Sequence, residues 1–165
     1  MLYSRRLKSA VAILGIAMLG TIATVAPASP SSGNITTTNF VTANYDESGH
    51  VNSDRVKFQT KGATDVRVQK LVFPAGAFTG WHHHPGVVIV AVESGSLTLT
   101  ESNCSTAGTY GPGLPNGAVF VEGHNEAHQA SSAGGATVYV TYVAPSADPP
   151  VFRIEDPVPF CATTL

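Results

Sequence analysis

Charge is scarce in this chain. Of 165 residues only 12% are Asp, Glu, Lys or Arg, against about 25% in an average soluble protein. No run of like charge occurs. No cluster of Lys and Arg occurs either, and a nucleic-acid footprint requires one, so nucleic acid is not an expected partner. No repeat of 20–50 residues stands out, which excludes a solenoid. There is no G-X-Y period, which excludes a collagen-like rod. Hydrophobic residues reach 43%, which excludes disorder, since that needs low hydrophobicity and high net charge. What remains is rich in turn formers. Gly 16 and Pro 11 together make about a sixth of the chain, which predicts many turns and short strands. The length fits one domain with tails.

The first residues look like an address. Residues 1–8 carry Arg5, Arg6 and Lys8, residues 9–26 carry no charge, and Ala26-Pro27-Ala28 supplies small residues at −3 and −1. A basic, then apolar, then small-residue order predicts a secretory signal peptide over 1–28. The competing reading is an uncleaved membrane anchor, because about 18 uncharged residues is near the minimum for a span. Gly15, Gly20 and the threonines leave that stretch weakly apolar, and the small-residue end favours cleavage. Ser4-Arg5-Arg6 keeps a twin-arginine export route open. Cleavage predicts a secreted or extracytoplasmic protein with no stable membrane association. Without residues 1–28, nine Lys and Arg fall to six while eleven Asp and Glu remain, a net −5. A mildly acidic surface suits solubility and disfavours anionic partners. Residues 29–39, rich in Ser, Thr and Asn, read as a flexible linker. The organisation expected is a linker and arm over 29–60, a barrel over 61–145 and a tail over 146–165.

Two cysteines occur, Cys104 and Cys161. In an exported chain an even pair reads as a disulfide. It would pin the proline-rich tail and stabilise by about 4 kcal/mol on the chain-entropy model. Two free thiols, or a metal site, are the alternatives. A metal site fits poorly, because neither cysteine has a Cys or His at ligand spacing.

The middle of the chain reads as β. Residues 64–73 alternate, with Val66, Val68 and Val72 on one phase and Arg67 and Gln69 on the other, the mark of a half-buried strand. Residues 87–92 form a continuous apolar run, and 97–100 alternate Leu-Thr-Leu-Thr. Together, 87–101 predict a hairpin about Glu93–Ser96. Residues 118–122 and 137–143 are further strands. Short strands at this spacing predict an all-β sandwich or small barrel.

Five of the six histidines fall in two groups, His82-His83-His84 and His124 with His128. Residues i and i+2 of a strand share a face, so His82 and His84 point together and His83 points away. Two imidazoles on one face are half of a metal site, and His128 could complete it. Imidazole suits Zn, Cu, Fe and Ni. The spacing Gly76, five residues, His82, one residue, His84, three residues, Val88, six residues, Gly95 resembles the first motif of the cupin family, G-x5-H-x-H-x3,4-E-x6-G. Val88 stands at its acidic position. The second motif, G-x5-P-x-G-x2-H-x3-N, is matched at His128, with Gly123, Asn125 and Ser132 in place of its P, G and N. The chain resembles a small exported single-domain cupin over roughly residues 64–143, and the Cys104 and Cys161 pattern is similar to that of such cupins with one disulfide.

The resemblance implies a cupin-type jelly-roll β-barrel, or double-stranded β-helix, with one divalent ion in its mouth: Fe, Mn, Ni, Cu or Zn. His82, His84 and His128 would be its ligands. Glu126 is the candidate fourth ligand, since an extended chain puts it on the face of His128; His124 and Glu122 are further candidates. Val88, Val90, Leu97, Leu99 and Phe120 would line the barrel. His83 is expected to face solvent and Trp81 to be core or interface. Three functions remain compatible: a metal-dependent enzyme performing oxidation, isomerisation or hydrolysis on a small organic molecule; a non-catalytic module that binds a metal or small ligand; and a structural jelly roll that pairs through its sheet. No general base or nucleophile stands out. A small-molecule ligand is the expected partner, and a homodimer is expected by resemblance.

Overall fold

The structure, a computed structural model, describes residues 31–123 and 125–163. The predicted signal peptide lies outside the described residues, and so does His124. Thirteen strands follow one another: β1 Thr36–Tyr45, β2 His50–Asn52, β3 Lys57–Gln59, β4 Thr64–Phe73, β5 Ala77–Phe78, β6 His82–His83, β7 Val87–Gly95, β8 Leu97–Glu101, β9 Thr106–Tyr110, β10 Val119–Glu122, β11 His128–Ser132, β12 Ala136–Pro145 and β13 Ile154–Glu155. The described residues hold one short 3-10 turn, Phe160–Thr163, and no α-helix. None of them forms a helix long and apolar enough to cross a membrane.

Two antiparallel sheets make the barrel. One runs β1-β4-β12-β7-β10, the other β13-β6-β11-β8-β9 with β5 on β11. The chain crosses between sheets at β7 to β8, β9 to β10, β10 to β11 and β11 to β12. That alternation is the jelly roll, and the fold class expected from the sequence is the one observed. The hairpin predicted over 87–101 does not form. Its two strands join different sheets, β7 between β12 and β10, β8 between β11 and β9. Gly95 makes the crossing at φ 74°, where a side chain would be strained. A Cβ there would also lie 2.0 Å from the Gly135 carbonyl. The glycine that closes the first histidine motif is thus set by backbone geometry. Gly76, which opens that motif, has φ 78° for the same steric reason.

The core is aliphatic and lies between the sheets. Val88, Val90, Leu97, Leu99 and Phe120 are all buried, as their phase predicts, together with Phe73, Val92, Val138 and Val140. Each such side chain stabilises the barrel by about 1.5–3 kcal/mol. One phase assignment is reversed. On β4 the valines face out, and the inward residues are Asp65, Arg67, Gln69, Leu71 and Phe73, of which Asp65, Gln69 and Phe73 are fully buried. The reason lies in the pairing: Arg67 and Gln69 sit opposite Tyr142 and Val140 on the inner face of β12. The segment read as a linker over 29–39 contains the start of β1, which pairs with β4 from Thr36↔Val72 to Tyr45↔Thr64. Its Ser, Thr and Asn content mimics a linker because β1 is an exposed edge strand along its whole length.

The tail is tied down. Cys104 and Cys161 form a disulfide across 57 residues of separation. Between them β13 pairs with β6, setting Ile154 opposite His83 and Glu155 opposite His82.

Candidate metal centre

The site begins with β6. His82 and His84 alternate inward and are 4% and 2% exposed. His128 opens β11 directly opposite His82 and is equally buried. The three offer ligand nitrogens within 4.8 Å of one another. Sequence spacing therefore brings the expected three residues together. His83 turns the other way, but it is not simply solvated: its Nδ1 donates to Asp156 Oδ2 at 2.8 Å. Trp81 is buried, as expected of a core residue.

The second ring nitrogen of each histidine decides what the cluster can do. Nδ1 of His82 donates to the Gly80 carbonyl at 2.9 Å, Nδ1 of His84 to the Phe152 carbonyl at 2.6 Å, and Nδ1 of His128 to the Glu126 carbonyl at 2.7 Å. A carbonyl only accepts, so each Nδ1 carries the proton. In a neutral ring Nε2 is then a bare acceptor. Ring nitrogens gathered this closely in a buried place need a cation or added protons between them. Backbone locking of one ring nitrogen is how proteins aim the other at a metal.

A carboxylate reaches the histidines from the end of β10, at Glu122, one of the further candidates. Glu126 does not supply it: its side chain is exposed at the surface, and it meets His128 only through its backbone carbonyl. The chain between Glu122 and His128 leaves the strand conformation, so the extended-chain argument for Glu126 fails there. Glu122 points inward instead and is 7% exposed. Its Oε2 lies 3.2 Å from His84 Nε2 and its Oε1 3.3 Å from His128 Nε2. The His128 contact is close but lacks hydrogen-bond geometry, which leaves His128 Nε2 buried without a hydrogen-bond partner. An orphaned buried nitrogen costs about 1–3 kcal/mol unless something fills the gap. The donor set, three imidazoles and a carboxylate around that gap, fits a divalent ion.

Glu122 also explains Val88. The two residues face each other across the β7–β10 pair, and directly opposed side chains share a face. Val88 is 1% exposed. The carboxylate missing from the first motif is present one strand away, aimed into the same space. It could have been found by asking which acidic residue can oppose position 88.

Electrostatics agree with this layout. Burial pushes the Glu122 carboxyl up, but His128 and His84 outweigh it and hold it down at about 2. Burial, with Arg153 and His128 nearby, holds His82 down at about 2, so it stays neutral. Burial lowers His128 but Glu122 more than reverses it, and the net shift is upward. Burial and the charge of Glu122 raise the Tyr142 hydroxyl to about 12, which keeps it a donor.

Above the histidines is a small cavity of about 40 Å³ bounded by His82, His84, Glu122 and Tyr142. A larger one of about 750 Å³ lies outside it, walled by β1, β4 and the tail. The two share Leu71, Thr79, Tyr142 and Arg153. Arg67, Tyr142 and Arg153 are not picked out by the sequence motifs. The signal present in the sequence was the polar phase of 64–73.

Two sheets exchanging strands around inward histidines of the two motifs make one architecture. The described residues form the jelly-roll barrel that the resemblance to cupins implies. No family model matches the sequence, and no curated protein is significantly similar to it. Among solved structures it is similar to a conserved protein of unknown function from Streptococcus pyogenes. That match has 16% identity and a TM-score of 0.48, and covers 70% of this chain and 78% of that one. It is also similar to a cupin superfamily protein from Desulfitobacterium hafniense at 12% identity and a TM-score of 0.46, over 67% and 78% of the two chains. Salicylate 1,2-dioxygenase from Pseudoaminobacter salicylatoxidans, in complex with gentisate, matches at 16% identity and a TM-score of 0.39, over 46% of this chain and 19% of that one. No chemistry passes from these proteins to this chain.

Proposed function

We propose that this is an exported metal-binding cupin. His82, His84, His128 and Glu122 hold one divalent ion, and the remaining coordination positions take a small organic molecule. The observation that carries the reading is the locking of all three Nδ1 atoms onto backbone carbonyls in three buried histidines whose ligand nitrogens lie within 4.8 Å of one another. Imidazole and carboxylate donors suit Fe, Mn, Ni, Cu and Zn. In a five- or six-coordinate ion, three imidazoles and one carboxylate leave one or two positions open, as a site that admits a ligand requires. The ion would supply Lewis-acid polarisation or, for a redox metal, activation of a bound oxidant. Tyr142, 5.5 Å from His84 between ring centres, is a hydrogen-bond donor beside the cluster. Export is supported by the Arg5–Ala28 leader pattern and by the disulfide, which persists in oxidising compartments.

Elemental analysis of the exported chain, purified without a histidine tag or chelator, tests the reading. About one transition metal or zinc ion per chain is expected. An absence of bound metal after saturation with each of the five ions would overturn it.

A further inference from the structure

The outer cavity is lined in a way the metal reading does not require. Two of the three arginines in residues 29–165 lie in its wall, Arg67 and Arg153, in a segment whose net charge is otherwise negative. Arg67 stands on the inner face of β4, where the strand's alternation would put an apolar residue. Its guanidinium stacks on the Phe152 ring at 4.1 Å, and its Nε donates to Thr42 at 3.0 Å. No other hydrogen bond holds that guanidinium among the described residues. Arg153 comes from the tail. Its Nε and Nη2 make a paired contact with the Glu155 carboxylate and Nη2 also donates to the Thr79 carbonyl at 2.6 Å, so the head is fixed where both cavities meet and a ligand would meet it through Nη1. Glu155 offsets one charge, and the wall keeps a net positive charge. Gln69 and Tyr142 add neutral polar groups, while Ile35, Leu71 and Phe152 add apolar surface.

We infer that this cavity is a binding site for a small organic carboxylate. The carboxylate sits against Arg67 and Arg153, the apolar body lies on Leu71 and Phe152, and the far end reaches past Tyr142 to the histidine cluster. Guanidinium groups recognise carboxylates by paired hydrogen bonds, and pre-positioned ones lose little entropy in doing so. A volume of about 750 Å³ accommodates a ligand of one aromatic ring or a short chain. Only the placement of the far end rests on the metal reading.

The test is calorimetric titration of the full exported chain, metal-loaded and metal-free, with acetate, lactate and benzoate. Benzamide serves as the neutral isostere of benzoate, and inorganic phosphate as an alternative anion. At least one carboxylate is expected to bind. Benzoate is expected to bind at least tenfold more tightly than benzamide and more tightly than phosphate. Arg67→Gln and Arg153→Gln are each expected to weaken the carboxylate at least tenfold while bound metal and the melting temperature stay as in the parent. No binding by any of the three carboxylates, benzamide equal to benzoate, phosphate equal to or tighter than benzoate, or arginine variants that bind like the parent would each overturn the assignment. Arginine-dependent binding to a chain that holds no metal would keep this site and sink only the metal reading. Metal retained with arginine-independent binding would do the reverse.

Discussion

Two rows of side chains cross the inside of the same sheet and differ in kind. One row, Leu71, Val138 and Val92 on β4, β12 and β7, is aliphatic throughout. Nearer the mouth, the row Arg67, Tyr142, Val88 and Glu122 spans β4, β12, β7 and β10 and is polar except at Val88. The backbone is the same pleated ladder in both. The first row supplies burial, and the second holds an acid, a phenol and a guanidinium around three histidines. Inward polar residues weaken a barrel unless each finds a partner. In this row Glu122 meets His84 and His128, and Arg67 meets Thr42 and Phe152.

Breaking the histidine cluster that the mouth row faces should remove chemistry and leave the fold. His82→Ala, His84→Ala and His128→Ala are each expected to abolish stoichiometric metal in elemental analysis, with circular dichroism unchanged. His83→Ala, facing Asp156 instead, should keep the metal. Retained metal in the His82 or His84 variant would refute the ligand assignment. Breaking the inner, apolar part of the barrel should do the opposite. Leu97→Ala is expected to cost about 2–5 kcal/mol in denaturant unfolding while metal content stays near one. A loss of metal at full folding in that variant would erase the distinction between the apolar core and the polar mouth.

The tail joins the two regions and should show a mixed response. The pair Cys104→Ser and Cys161→Ser is expected to cost about 2–4 kcal/mol of stability. Because the Phe152 carbonyl orients His84, it should also weaken metal binding by about tenfold or more. Unchanged affinity would mean that the tail holds its place without the bridge. A finer cut tests the exchange of carboxylate between strands. Glu122→Val alone should weaken metal binding about 10–100-fold, and adding Val88→Glu should restore it. Failure of the double variant, with the fold intact, would show that Glu122 has a role position 88 cannot fill.

The smallest effect concerns the outer end of the mouth. Asn44, the Ala147 amide and Ser146 hold the Asp65 carboxyl below its ordinary value of 3.8. A depressed folded value stabilises above the unfolded one and is lost as pH falls through the folded one. Asp65→Asn should therefore lower the melting temperature slightly at pH 6, and the gap to the parent should close as the pH drops below about 3.8. A gap that persists in acid would assign the loss to packing instead.

Much of this was legible beforehand, unevenly. His128 came in through the resemblance to the second cupin motif, while spacing placed His82 and His84 on one face, because strand alternation is a local rule. The aliphatic residues of 87–99 and Phe120 declared the core for the same reason. What failed depended on which strand lies beside which. The 87–101 hairpin misled because two strands adjacent in sequence belong to different sheets. Glu122 was one candidate among several because its meaning comes from standing opposite Val88, a pairing across more than thirty residues. Arg67 and Gln69 reversed the expected phase because they sit opposite Tyr142 and Val140 and line a cavity that takes polar side chains. Glu126 lost its place because the loop before β11 is not extended.

The most direct measurement is X-ray absorption at the edge of the bound metal, in the parent and in Glu122→Val. The account predicts three imidazole nitrogens and a carboxylate oxygen in the parent, with the oxygen lost or replaced by water in the variant and the imidazoles retained. Fewer than three imidazoles, or a parent and variant with the same shell, would contradict it.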